Sequence, residues 1–131
     1  MINEDGRQQR DFVNVADVAR ACHLAAKCPA AVGLAINIGC GHAISVSEIA
    51  QRLSEILEKE DISPTITGHY RKGDIRHCVA DISLAHALLG YTPQVSFEDG
   101  LVELAVWLES QVALDRFAQA QEELLTRGLA I

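Results

Sequence analysis

Nowhere in the 131 residues is there an apolar run long enough to cross a bilayer as a helix, and no charged-then-apolar leader stands at the start. Cys22, Cys28, Cys40 and Cys78 make no Cys-x-x-Cys pair, so reduced thiols and a cytoplasmic location are expected rather than a disulfide framework. Positive charge is scarce too. Eleven Lys and Arg face 18 Asp and Glu, a net charge of -7, and a chain of that sign repels polyanions. Neither nucleic acid nor membrane is expected as a partner. A proton-transfer pair of the form Tyr-x-x-x-Lys is missing, because neither Tyr70 nor Tyr91 has a lysine four residues on. A dinucleotide fingerprint also fails: Gly39 and Gly41 are in place, but Ile44 stands where the third glycine belongs. There is no internal repeat and no low-complexity segment.

What is present suffices for a packed core. Hydrophobic residues make up 49% of the chain and charged ones 22%, which predicts one globular domain over residues 1–131. From Ile82 onward seven carboxylates face Arg116 and Arg127, whereas residues 1–81 are nearly balanced, so any anion site is local and upstream. Met1 to Arg10 is polar and turn-rich and runs at once into a strand, which reads as entry into the middle of a fold.

Alternation over Arg10–Val15 predicts a short strand, and Asp17 stands where an N-cap would for a helix over Val18–Lys27 burying Val18, Ala21, Cys22 and Ala25. Pro29 and Gly33 break it. Leu34–Ile38 is then a continuous apolar run of strand length, needing cover on both faces. Ser45 and Glu48 form a capping box for a helix with Val46, Ile49, Leu53, Ile56 and Leu57 at helical spacing. Pro64–Gly68 and His77–Ala80 read as strands around a basic loop, His69–Arg76. Asp81 is placed to cap a helix over Ile82–Leu89 that Gly90 stops. Ser96 and Asp99 cap a long helix from Phe97, with Leu101, Leu104, Ala105, Leu108 and Val112 as its stripe. A further helix or a continuation of it covers Asp115–Arg127, with Phe117, Ala120 and Leu124 on one face.

The chemistry concentrates in Tyr70-Arg71-Lys72-Gly73-Asp74. A guanidinium can grip a phosphate as a fork, and a carboxylate three residues later can accept from vicinal hydroxyls, the two partners that a ribose diphosphate offers. The same residues also suit a solvated turn closed by an Arg71–Asp74 pair. Arg10 can bring a second guanidinium to the same anion, with Asp11 orienting it or capping a turn. Cys40 reads as a small buried hydrophobe rather than a nucleophile. The neighbours Cys22-His23, Cys40-His42 and His77-Cys78 lack metal-ligand spacing, so no metal site is expected. Trp107 reads as core or interface, and no catalytic residue is assigned.

Taken in order, Arg10-Asp-Phe-Val-Asn-Val-Ala-Asp17-Val-Ala-Arg, Asn37-Ile-Gly-Cys-Gly41, Tyr70-Arg-Lys-Gly-Asp74, Ala80-Asp-Ile-Ser-Leu-Ala and Leu89-Gly-Tyr-Thr-Pro93 resemble the extended short-chain dehydrogenases/reductases, the NAD-dependent nucleotide-sugar epimerases and dehydratases. The likeness extends through Phe97-Glu-Asp-Gly-Leu101 to Trp107-Leu108, and the stretch from Tyr70 to Cys78 is similar to bacterial sugar-nucleotide 4-epimerases. Two positions depart from the pattern: Asn14, where relatives commonly carry Tyr or His, and Cys40, where they often carry Ser.

The resemblance implies an α/β (α+β) fold, the small substrate-binding part of such an enzyme, with short strands, three to five helices and the Rossmann half missing. Residues 10–38 would be a strand-helix-strand segment that normally joins the cofactor domain. It implies Arg10 and Arg71 on a diphosphate and Asp74 on ribose hydroxyls. NAD serves the parent family, but no cofactor is expected on this chain. The expected function is that of a truncated carboxyl-terminal part, inactive alone and binding a nucleotide-diphosphate sugar weakly or not at all. The alternative is a stand-alone binding or dimerisation module that partners a separate cofactor domain. Homo-oligomerisation through the exposed apolar strand is expected in either case.

Overall fold

The computed structural model describes residues 1–112 and 114–129. A three-stranded mixed sheet is assembled from strands of two residues each. Strand β1 (Gln9–Arg10) lies centrally, antiparallel to β2 (Ile44–Ser45) and parallel to β3 (His77–Cys78), with Arg10 beside Ile44 on one side and Cys78 on the other. Around it, among the described residues, stand five helices: α1 (Val15–Lys27), α2 (Val46–Ile56), α3 (Ser83–Leu89), α4 (Phe97–Glu109) and α5 (Phe117–Thr126). The expected α/β class is thus observed.

Local chemistry explains several helix ends. The Ser45–Glu48 capping box is complete: Ser45 Oγ accepts from the Glu48 N–H at 3.2 Å, and Glu48 Oε2 accepts from the Ser45 N–H at 2.8 Å. Ser96 Oγ accepts from the Asp99 N–H at 3.0 Å to start α4. Gly90 takes φ of 63° at the end of α3, a left-handed conformation natural to glycine.

Two packed regions result. One joins α1 and α3 through Ala21, Ala85, Leu89 and Tyr91, with Leu24, Ile36 and Ile38 packed against them. The other sets α2 against α4, where the Arg52 guanidinium lies 5.5 Å from the Phe97 ring centroid and pairs with Glu98.

Several expectations need correction. The strand expected over Arg10–Val15 ends at Arg10, because the Asp11 side chain turns to accept from three distant backbone amides. Helix α1 begins three residues early, at Val15. Asn14 rather than Asp17 is its cap, accepting from the Ala16 N–H at 2.8 Å. Leu24 takes the packing place assigned to Cys22, which is exposed. Leu34–Ile38 is not a strand, since no neighbouring strand among the described residues offers it a ladder. Pro64–Gly68 contributes only the bridge of Ile66 to Ile2, and β3 stops at Cys78. Helix α3 starts at Ser83, with Asp81 Oδ1 accepting from the Ser83 N–H at 2.9 Å just ahead of it. On α4 the buried residues are Leu101 and Ala105; Leu104 and Leu108 are exposed, Trp107 is 57% exposed and so not part of the core, and Val112 lies beyond the helix end.

Candidate functional site

The site grows from the end of β1. Pairing on both sides fixes the Arg10 backbone, and its guanidinium reaches across the sheet edge to the basic loop. There Nη1 donates to the carbonyls of Gln9 (2.8 Å) and Arg76 (2.9 Å), while Nη2 meets Asp74 Oδ1 at 3.1 Å. The loop holds itself in a turn: the Asp74 N–H donates to the Arg71 carbonyl at 3.1 Å, and Gly73 between them has φ of 84°. Arg76 anchors the far end of the loop on Glu4 (2.8 Å) and Asp5 (2.6 Å), and the Arg76 contact holds the Asp5 carboxyl below its ordinary range.

Arg10, Arg71 and Asp74 therefore line one depression of about 260 Å³, together with Asn3, Gln8 and Phe117. Sequence spacing suggested an Arg71–Asp74 pair as the plain alternative. The carboxylate's partner is Arg10 instead, 64 positions away in sequence. With a side-chain exposure of 29% for Arg10 and 44% for Asp74, the pair is open to a ligand and screened by water. Helix α5 forms the cover beside it. Gln121 Nε2 lies 3.3 Å from His69 Nδ1, and the Lys72 N–H donates to the Leu129 carbonyl at 2.9 Å. Phe117 and Leu124 thus close a small apolar cavity of about 60 Å³ against Tyr70 and Arg71.

Asp11 faces the other way and acts as a knot. Its carboxylate accepts from the N–H groups of Cys40 (2.7 Å), Gly41 (2.9 Å) and Ala80 (3.2 Å). Burial opposes its charge, but these hydrogen bonds outweigh it and lower the pKa. Gly39, just before them, leaves no room for a side chain: a Cβ there would lie 2.5 Å from Asp11 Oδ2 and 2.6 Å from Ala80 Cβ. The one glycine-rich loop therefore spends its amides on the chain's own carboxylate, and the residues present do not fit a dinucleotide phosphate at Asn37–Gly41.

The Cys40 thiol is pushed up in pKa, by burial first and then by Asp11, opposite to what an activated nucleophile requires. No cluster of three metal-ligating side chains occurs among the described residues. None of their helices is long and apolar enough to cross a membrane.

Two groups escaped sequence reasoning. Asp17, placed there as a cap, is 2% exposed and accepts from the Gln94 N–H (3.0 Å), the Val95 N–H (3.1 Å) and Arg20, which clamps α1 to the approach to α4. Gln8 gives no signal in the sequence, because a single glutamine in a polar, turn-rich stretch marks neither a cap nor a site. It is 8% exposed on the wall of the depression, with its Oε1 unpartnered among the described residues.

Residues 1–104 match the family model of GDP-mannose 4,6 dehydratase. The chain is similar to dTDP-L-rhamnose 4-epimerase of Burkholderia thailandensis, 39% identical over 114 residues that make up 86% of this chain and 30% of that protein. Among solved structures it is similar to an epimerase from Methanothermobacter thermautotrophicus, with a TM-score of 0.77 and 32% identity over 82% of this chain and 32% of the other. A variant of Bacillus cereus UDP-glucuronic acid 4-epimerase, in complex with UDP-4-deoxy-4-fluoro-glucuronic acid and NAD, gives a TM-score of 0.76 and 32% identity, covering 82% and 34% of the two chains. The chain spans about a third of the length of the relatives it matches.

Proposed function

We propose that this chain, which belongs to the GDP-mannose 4,6 dehydratase family within the extended short-chain dehydrogenases/reductases, supplies the nucleotide-diphosphate-binding part of a nucleotide-sugar epimerase or dehydratase. In this reading Arg10 and Arg71 hold the diphosphate and Asp74 accepts from ribose hydroxyls, while residues 1–131 act as one domain. The observation that carries it is the convergence of these three residues on one depression from positions more than 60 apart in sequence. Two guanidiniums beside one carboxylate match a ligand that is anionic at one end and hydroxylated at the other.

These 131 residues contain no Tyr-x-x-x-Lys pair and no third glycine for a dinucleotide loop, so by themselves they turn nothing over, and of weak binding and none this reading takes weak binding. Titrating the chain with UDP and with dTDP tests the reading. Arg71→Ala should weaken either nucleotide about tenfold or more, the loss of a charge-assisted fork. No interaction with either nucleotide at millimolar concentration would sink the assignment, and turnover of a nucleotide sugar with added NAD would sink the inactivity.

A module that pairs with a separate cofactor domain is a second reading, favoured by one surface. Cys22, Val32, Leu34, Ile36 and Ile38 line an open apolar depression of about 290 Å³, with Val32 83% and Leu34 53% exposed. An apolar face of this kind is stabilised by cover from another sheet or another copy.

A further inference from the structure

The amide of Gln8 presents an unusual arrangement beside the three charged residues. Its Nε2 donates to the Asn3 carbonyl at 2.9 Å, which orients the carboxamide, while Oε1 has no donor among the described residues. A buried acceptor left without a partner is destabilising, and such groups are uncommon in folded proteins. This one lies on the wall shared by Arg10, Arg71 and Asp74.

Resting on the nucleotide reading of that depression, we infer that Gln8 is a fourth recognition residue, whose Oε1 accepts a hydrogen bond from a sugar hydroxyl of the bound nucleoside diphosphate. The chemistry selects the hydroxyl over the phosphate, because an ionised diphosphate has only acceptor oxygens and an amide carbonyl gains nothing from it. The depression then divides its labour. Two guanidiniums offer donors to the diphosphate, and the Asp74 carboxylate and the Gln8 carbonyl offer acceptors to the sugar. Oε1 is sealed from solvent in the unliganded chain, so the contact requires the amide to turn about its terminal torsion, whose wells are broad.

The test is an NMR titration of the isotopically labelled full chain with UDP and, separately, with inorganic pyrophosphate. Both ligands should shift Arg71, while UDP alone should shift the Gln8 side-chain amide. Gln8→Met keeps the length and removes the acceptor. It should weaken UDP about three- to tenfold, the worth of one hydrogen bond, and leave pyrophosphate within about twofold. UDP binding that depends on Arg71 but leaves the Gln8 resonance unmoved and Gln8→Met unaffected would overturn the inference and spare the nucleotide reading. Equal weakening of both ligands by Gln8→Met makes Gln8 merely structural and overturns it too. Absence of binding by either ligand removes the nucleotide reading and this inference with it. Should Gln8→Met fail to fold, the wild-type Gln8 resonance alone decides.

Discussion

Replacing Asp17 with alanine should destabilise the fold by about 3 kcal/mol without touching the depression. The side chain is 2% exposed and takes three donors: the N–H groups of Gln94 and Val95, and the Arg20 guanidinium. Alanine leaves the two amides without an acceptor, at about 1–3 kcal/mol each if they stay dry. Gln94 is exposed and Val95 half-buried, so the lower half of that range applies and the pair contributes about 2–4 kcal/mol. Arg20 adds little, because its side chain is 27% exposed and keeps the Thr92 carbonyl at 2.7 Å. Urea denaturation followed by circular dichroism measures the cost directly, and a melting temperature lower by roughly 10–15 °C should accompany it.

The same residue sets a pH dependence. Burial raises the Asp17 pKa, but Arg20 and the two amides outweigh it, leaving the folded value below the ordinary 3.8. The stability it contributes is therefore fully present above 3.8 and is lost as pH falls through the depressed folded value. The gap between wild type and Asp17→Ala should be constant around neutral pH and shrink below about pH 4. An unchanged urea midpoint at neutral pH, or a gap that does not narrow in acid, would refute the reasoning.

Gly39→Ala forces a methyl against Asp11 and Ala80, and a cost of about 2 kcal/mol or more in the same urea assay is expected; a neutral result would mean the Asp11 knot can yield. Cys40 should react with a thiol reagent more slowly than exposed Cys22 and Cys78 near pH 8, because its pKa is raised, and mass mapping of the adducts reads the order. Light scattering at high concentration should detect self-association that Leu34→Lys reduces, and a wild-type monomer would refute the claim made for the apolar face.

Features depending on a few consecutive residues could be read without coordinates. The capping box at Ser45 and Glu48, the Ser96 cap of α4 and the glycine stop at Gly90 are local hydrogen-bond or backbone devices, and each stands where the sequence put it. The ordered run of motifs from Arg10 to Trp107 also sufficed for the family, since order and spacing survive where single motifs are weak.

Pairings across the fold were beyond that reach. Local spacing could offer Arg71 as the partner of Asp74, but the parallel register of β1 and β3 brings Arg10 there. Asp17 read as a helix cap because a carboxylate at a helix start satisfies amides of its own chain segment. Only the path of the chain before α4 supplies the Gln94 and Val95 amides it accepts from, and that frees the capping role for Asn14. Leu34–Ile38 has a strand's composition, yet a strand exists only with a hydrogen-bonded neighbour, which no sequence window contains. Sequence thus determined which groups could cap, grip or pack, because those are properties of side chains and their near neighbours. Tertiary structure alone decided which of them meet, because a hydrogen bond depends on distance in space and not on distance along the chain.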